Sequence, residues 1–361
     1  MVRKIAFLTV VLLLSGISLS AQSASEKRSY YNSFPAHKDT KLEIFNKYGD
    51  VKISAWNKDS IYILAEIEAF SPDENRVKKM IKGVEPEITG TGIIVSAKTK
   101  IKDGIIDLTE SFKGITEKVV NYESRVKISY YINAPAYTEI RIENQFGDIS
   151  IEKNSNVVYA SLSNGNFEAG SLNTLSDLKL TFGKGVINSV KSGKLSISFS
   201  RISVNESEEL SINSTSSRYE LEKAGMVTTE SRRDKFFIGQ IDELKGASYF
   251  TDFRIESLNR ESDITIKYGT LDIGLIKNDF KRAEIKSSYS DLYLNFSQSA
   301  SFELEIRHVN SFVVIPDNNA KTVREAINKD KNEYIITGRI GDNSGTGKLV
   351  TDAVKGNIYI R

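Results

Sequence analysis

The chain has 361 residues, with 49 Lys and Arg against 47 Asp and Glu, and it contains no cysteine. The lack of cysteine excludes disulfides, thiolate nucleophiles, thiolate metal ligands and a lipid-modified cysteine. The near-balanced charge provides no clustered positive charge of the kind that binds phosphates, so no nucleic-acid partner is predicted.

The first 21 residues have the order of an export signal. Arg3 and Lys4 are followed by an apolar run from Ile5 to Leu14 and then by small residues up to Ala21. The run is shorter than the roughly 20 residues that span a bilayer. We expect cleavage after Ala21, with an uncleaved N-terminal anchor as the alternative. No later run is long enough to cross a membrane. We therefore predict an exported protein in the periplasm or at the cell surface or outer membrane, with no transmembrane segment in the mature chain.

Two segments, residues 42–53 and 140–151, share one template: apolar, x, Ile, x, Asn, x, aromatic, Gly, Asp, β-branched, x, Ile. Period-two alternation on each side of a turn predicts two short strands folded about a corner. Glycine at the corner is expected to supply unusual backbone angles. From the second copy onward the corner recurs about every 17 or 18 residues, at Gly147, Gly165, Gly183, Arg201, Arg218, Lys235, Asp252 and Gly269, then at Ser290 and Asn310.

This repeat predicts an all-β fold, a β-solenoid of the single-stranded β-helix type with about 17–18 residues per rung. One rung cannot bury its own apolar face, but stacked rungs align inward Ile, Leu, Val and Phe side chains into one core. Arms such as Ile202-Ser-Val204 and Phe312-Val-Val314 are expected to contribute these side chains. A β-sandwich or a propeller is the competing architecture.

The segments on either side of the repeat have a different pattern. Residues 57–138 contain strands from Ile61 to Phe70, near 87–99 and near 125–133. A helix is predicted between the first two, with Ser71 as its N-cap, Pro72 in its first turn and Gly83 at its end. Residues 317–331 form a second helix candidate, followed by a strand from Glu333 to Arg339.

The predicted organisation has four parts. A signal peptide covers 1–21, and a β-rich N-terminal cap region with one short helix covers 22–138, including the first corner motif at 42–53. Solenoid repeats cover 139–316. A C-terminal cap and the last rung cover 317–361.

The corner motifs, the signal ending in Ala21-Gln22, the segment Val126–Pro135 ahead of the stack and the closing segment Gly345–Ile360 carry a family resemblance. The chain resembles the bacterial putative-adhesin family of exported β-solenoid proteins, a domain of unknown function of the Bacteroidetes type. The resemblance covers most of the mature chain. It implies the fold and an extracytoplasmic location, and it supplies no catalytic residues.

Carboxylates in the turn template are the first candidates for chemistry. Sugar-cleaving enzymes need two carboxylates that converge in a groove. Asp50, Asp148 and Asp291 occupy equivalent turn positions, but Asn166 and Lys184 replace them in intervening rungs, so no carboxylate ladder forms. We interpret these aspartates as hydrogen-bonding the backbone of their own turns.

The two histidines, His37 and His308, are far apart and have no metal-ligand spacing, and His308 is expected to be a polar turn residue at a corner. No catalytic, cofactor-binding or metal site is predicted.

The basic cluster Arg232, Arg233 and Lys235 is flanked by Glu230 and Asp234. We interpret it as a solvated turn rather than a binding patch.

Aromatic residues precede many of the corners. Facing outward they would form a ridge that stacks on sugar rings, and facing inward they would be core or corner packing. The candidate surface-binding residues are Tyr48, Phe146, Tyr268 and Tyr289, and Phe182 belongs to the same column.

These features favour a non-enzymatic exported cell-envelope protein with an adhesin-like binding role or a structural role. The predicted partner is a glycan or another envelope protein, and no oligomeric state is predicted. The alternative is a carbohydrate-active enzyme, a lyase or hydrolase on a β-helix scaffold. That alternative requires a groove with two carboxylates, or a carboxylate and a base, within about 10 Å.

Overall fold

The computed structural model describes residues 24–102, 124–316, 320–342 and 345–361. The predicted signal peptide and its cleavage after Ala21 lie outside these residues. The chain divides into two compact units. One comprises Met1–Ser29, Glu66–Glu85 and Lys100–Lys127, and the other comprises Tyr30–Ala65, Pro86–Thr99 and Ile128–Arg361. Within the described ranges, no helix has the length and apolar character needed to cross a membrane.

The N-terminal part contains seven described strands and one helix. The helix α1, Glu74–Lys82, buries Val77, Met80 and Ile81 and ends at Gly83, as predicted. Its N-cap is Asp73 rather than Ser71, because the Asp73 carboxylate accepts the Asn75 N–H at 2.9 Å. The strands are β1 Ala24–Pro35, β2 Lys41–Phe45, β3 Val51–Trp56, β4 Ser60–Ser71, β5 Val84–Gly90, β6 Ile94–Ile101 and β7 Arg125–Pro135.

Parallel strands follow, and the long ones among them each form most of one rung. They pair in parallel with the rung before and the rung after, which confirms the predicted β-solenoid. The strands are β8 Glu139–Gln145, β9 Ile149–Ser163, β10 Phe167–Thr181, β11 Lys184–Ser198, β12 Arg201–Thr215, β13 Arg218–Arg232, β14 Lys235–Tyr249, β15 Asp252–Lys267, β16 Thr270–Ile276, β17 Arg282–Ser288, β18 Asp291–Phe296 and β19 Phe302–Val314.

The first corner motif is part of this stack. Strand β2 pairs in parallel with β8, and β3 pairs in parallel with β9 at Val51–Ile53. Residues 42–53 therefore form a rung directly on the rung of residues 140–151, although more than 80 residues separate them in sequence.

Each rung turns at one residue in the left-handed backbone region, which we call the corner residue. In Phe182 and Tyr268 φ is 56° and 58°. In stacking order the corner residues are Tyr48, Phe146, Asn164, Phe182, Phe199, Ser216, Arg233, Phe250, Tyr268, Tyr289, Lys355 and Asn310.

The prediction that glycine supplies the unusual angles is wrong. The left-handed residue is the one before the glycine, and the glycine is needed because neighbouring rungs approach closely. A Cβ on Gly183 would lie 1.9 Å from the carbonyl oxygen of Gly165. In rungs without this glycine, the position holds a small polar residue such as Ser200 or Ser217. The predicted corners at Arg201, Arg218, Lys235 and Asp252 are therefore two residues too late.

Rungs bend again in their middle. In β10 the buried residues Ala169, Leu172, Leu175 and Leu178 are three apart rather than two, so the strand turns between them. Period-two alternation holds only near the corner. The predicted arm Phe312-Val-Val314 is also wrong, because Phe312 is the second residue after corner Asn310 and is 62% exposed.

The C-terminal strands are β20 Ala320–Asn328, β21 Glu333–Ile340 and β22 Gly347–Ile360. The helix predicted over 317–331 is wrong in its described part, because β20 pairs antiparallel with β21. Strand β22 does not form a last rung. It pairs in parallel with β17 and β18 on one side and with β19 on the other, so the end of the chain inserts between two earlier rungs.

The left-handed corner makes a specific prediction about alanine and glycine. Both Tyr268→Ala and Tyr268→Gly remove the ring, but only glycine adopts positive φ without strain. We expect Tyr268→Ala to be less stable than Tyr268→Gly by about 1 kcal/mol in urea unfolding.

The matched control is Thr228, an exposed residue within β13. There the order reverses, with Thr228→Gly less stable than Thr228→Ala by roughly 0.5–1 kcal/mol. Equal or greater stability of Tyr268→Ala over Tyr268→Gly would contradict the corner assignment.

Candidate functional site

The corner residues form one edge of the solenoid, which we call the corner edge. Most of its residues are aromatic, and their side chains point outward rather than into the core. Their exposed fractions are 37% for Phe146, 57% for Phe182, 55% for Phe199, 49% for Phe250 and Tyr289, and 47% for Tyr268.

The rings stack on one another from rung to rung. Phe182 and Phe199 form a pair with centroids 5.2 Å apart and an interplanar angle of 12°. Phe250, Tyr268 and Tyr289 form a triple stack at 5.0 and 5.1 Å. Both faces of Tyr268 are therefore covered, and only ring edges are open along the interior of a stack.

The four predicted binding residues lie within such stacks. Tyr48 and Phe146 stack at 5.5 Å, and Lys47 Nζ lies 4.8 Å from the Tyr48 centroid. Tyr289 is covered by Tyr268 on one face, and Lys355 Nζ lies 4.8 Å from its centroid. The binding role of these residues stays a prediction, and what they offer outward is ring edges.

The column is interrupted between Phe199 and Phe250, where the corner residues are Ser216 and Arg233. One face of Phe199 packs on Phe182, so its other face turns towards the rung of Ser216. A shallow depression of about 560 Å³ occupies this gap, lined by Gly183, Phe199, Ser200, Arg201, Ser216, Ser217, Arg218, Arg233 and Lys235.

Phe199 and Phe250 were missed as site residues. The predicted corners of these two rungs are Arg201 and Asp252, and the residues directly before them are Ser200 and Thr251. The aromatic residue lies one position earlier, so the pattern of an aromatic directly before the corner does not include it. An aromatic two residues before the start of the next strand is the signal that identifies them.

The residues two positions after the corners form a second column beside the corner residues. Three aspartates of this column accept backbone hydrogen bonds from a neighbouring rung. Asp50 Oδ1 accepts the Asp148 N–H at 3.0 Å, and Asp148 Oδ1 accepts the Asn166 N–H at 2.7 Å. Asp291 Oδ1 accepts the Asn357 N–H at 2.9 Å. The prediction that these aspartates bind the backbone of their own turns is therefore wrong in its partner, because each accepts a backbone N–H from the turn of the neighbouring rung.

Asp234 lies inside the turn beneath the gap. It accepts hydrogen bonds from Ser214 Oγ at 2.6 Å, the Ser217 N–H at 2.7 Å and the Arg232 N–H at 3.1 Å. Burial raises the pKa of its carboxyl group. The predicted solvated turn of Arg232, Arg233 and Lys235 therefore contains one flanking residue that is not solvated, since Asp234 is 1% exposed.

A second concave surface follows the mid-rung bend from β9 to β15, with a volume of about 780 Å³. Its carboxylates are those of Glu206, Glu208 and Asp242. Two of them are held by neighbouring rungs: Glu206 pairs with Lys223 at 3.1 Å, and Asp242 accepts from Asn259 Nδ2 at 2.7 Å. This is the pattern of a solvated β-face. It does not single out an acid and a base for glycoside cleavage.

His308 is not a turn residue. It lies within β19, is 1% exposed, and its ring stacks on Tyr334 with centroids 5.6 Å apart. Burial, followed by the charge of Arg324, lowers its pKa. Among the residues that the structure covers, no group of three or more His, Cys, Asp or Glu is placed to hold a metal ion.

The solved structures that match the chain include the following three. A putative cell adhesion protein from Clostridium sporogenes is 11% identical with a TM-score of 0.24, and the match covers 93% of this chain and 99% of that one. A putative adhesin from Parabacteroides merdae is 14% identical with a TM-score of 0.29, covering 74% and 93%. A putative adhesin from Bacteroides fragilis is 11% identical with a TM-score of 0.22, covering 93% and 98%.

These names match the family resemblance of the sequence. At such identities and TM-scores, neither function nor site residues transfer to this chain. No protein-family model matches the chain, and no curated protein matches it either.

The buried carboxyl of Asp234 makes the stability of this turn depend on pH. Because its folded pKa is raised, the folded state binds this proton more tightly than the unfolded chain does. The wild-type protein should therefore gain stability relative to Asp234→Ser as the pH falls from about 7 towards the unfolded pKa of about 3.9.

Serine is the matched replacement because Ser200 and Ser217 occupy the same position in neighbouring rungs. The measurement is urea unfolding of both proteins across this pH range. Other groups titrate alike in the two proteins, so the pH dependence of the difference in unfolding free energy reports on Asp234. A difference that stays constant with pH would contradict the raised pKa of its buried carboxyl group.

Proposed function

We propose that this protein is a non-enzymatic exported envelope protein that binds glycans through its corner edge. The observation that supports the proposal is the outward column of aromatic residues at backbone positions that disfavour them. Its adhesin-like role consists of holding a polymer that lies along the stacked rungs.

The energetics of the corner favour a role beyond folding. A bulky residue in the left-handed region costs about 1–2 kcal/mol, a cost that glycine avoids. A stacked aromatic pair returns about 0.5–1.5 kcal/mol. Folding stability alone therefore gives the aromatic corner little advantage, while about half of each ring surface is left in water.

Glycans suit this edge because the apolar face of a sugar ring packs on an aromatic ring face, and such faces are open where a stack ends, as at Phe199. Polar side chains beside such a face satisfy the hydroxyl groups. The charged, apolar and small residues of positions 1–21 support export, to the periplasm or the cell surface. The paired carboxylates of the mid-rung groove support a binding role over a hydrolase or lyase.

Binding of the purified protein to a glycan array and to isolated cell-surface fractions tests the proposal. In the double variant Phe182→Leu, Phe199→Leu, we expect affinity for the bound glycan to fall roughly tenfold, because the stacking platform is lost. The control is Phe312→Leu, which removes a ring of similar exposure away from the corner column.

Absence of binding to any glycan would overturn the proposal, and capture of an envelope protein instead would replace it with protein recognition. An equal loss of affinity in Phe312→Leu would also count against the corner edge as the binding surface.

A further inference from the structure

We infer that the gap between the Phe182–Phe199 pair and the stack that begins at Phe250 is a subsite for an acidic glycan, one whose sugar rings carry carboxylate or sulfate groups. The inference deepens the proposed function and rests on it. It is carried by a row of cations that the fold places side by side in the rungs around the gap.

Four consecutive rungs carry a basic residue two positions after the corner. Lys184 pairs in register with Arg201, Arg201 with Arg218, and Arg218 with Lys235. Neighbouring strands are about 4.8 Å apart, so the four side chains leave the backbone in a line about 14 Å long. Like charges directly opposite one another destabilise a sheet, so folding does not explain this row.

Protein counter-charges neutralise the row only in part. Arg218 pairs with Glu220 at 2.9 Å and lies over the ring of Phe237. Among the described residues, Lys184, Arg201 and Lys235 have no ion-pair partner, and neither does the corner residue Arg233. The nearby acidic groups are Glu220, Glu230, Asp252 and the buried Asp234, which binds turn backbone instead.

The gap combines these cations with an open aromatic face. Ser216 is small, so the face of Phe199 that turns away from Phe182 borders the depression that Arg201, Arg218 and Arg233 line. A sugar ring packed on that face would carry its acidic substituent to the guanidinium groups, which bind planar carboxylates and sulfates through paired hydrogen bonds.

The charge pattern along the edge favours a sparsely charged polymer over a nucleic acid. Asp148 and Asn166 precede the basic row, and Asp252 follows it in the next rung. A polynucleotide has a charge on every unit and would meet Asp148 and Asp252 beyond the four rungs. A glycan with acidic groups at intervals can place them on the row and neutral sugars elsewhere.

The test uses two pairs of polymers in which one member has acidic groups at intervals and the other has none: partly methyl-esterified polygalacturonate with its fully methyl-esterified form, and lightly sulfated dextran with dextran. Poly(dT) serves as the nucleic-acid probe. We expect the purified protein to bind at least one acidic polymer more tightly than its neutral partner, with affinity falling as salt is raised. The double variant Arg201→Gln, Lys235→Gln should lose roughly tenfold or more of that affinity.

The control is Lys194→Gln, Lys277→Gln, which removes the same charge from exposed positions away from the corner edge. It should bind as the unmodified protein does, and thermal unfolding of both variants verifies that they fold. If the protein binds glycans without preference for acidic ones, or if the two double variants behave alike, the inference fails and the proposed function stands.

The inference would be overturned in favour of nucleic acid if the protein bound poly(dT) more tightly than any acidic glycan and lost that binding in the double variant Arg201→Gln, Lys235→Gln. Absence of any glycan binding, including on the array, would overturn the proposed function together with this inference.

Discussion

The structure depends on one repeated hydrogen bond. Each corner residue from Tyr48 to Tyr289 donates its backbone N–H to the carbonyl of the residue just before the next corner in the stack. Phe199 donates to Thr215 at 3.1 Å, and Ser216 donates to Arg232 at 2.9 Å. This bond locks each rung to the next at the turn, so extra residues must be accommodated elsewhere in the rung. Between Tyr268 and Tyr289 the interval grows to 21 residues, and the additional chain forms the loop at 277–281 while both corners keep their bonds.

Because the register is fixed, the residues at one position of successive rungs lie in a straight column on the surface or in the core. The same lock that places Phe236 on Tyr219 and Phe253 on Phe236 in the core, with centroids 4.5 and 4.8 Å apart, places Phe199 on Phe182 outside. Stacked side chains stabilise the coil in both places. The difference is that the outer column is in contact with solvent, so its composition also determines what the protein can bind.

Much of the fold could be predicted from the sequence because period-two alternation and a 17–18-residue spacing are local signals. The exact corner could not, because glycine is associated with positive φ, whereas Gly183 is present for close approach to Gly165. The strand state of 320–328 and the insertion of β22 between β17 and β19 depend on partners distant in sequence. Local propensity does not report such pairings, and tertiary context overrides it.

The candidate site was predictable to the extent that it repeats. The sequence shows an aromatic residue before many of the corners. It does not determine whether these side chains face outward or into the core. The gap was not visible, because it consists of the positions at which the pattern stops: Ser216 and Arg233 replace rings that would otherwise cover Phe199 and Phe250. In a continuous aromatic column each ring face would be covered by the next ring, so no face would be open to a ligand. Recognition therefore depends on the residues that interrupt the column, and in this chain the interruption lies within the four rungs that carry the basic row.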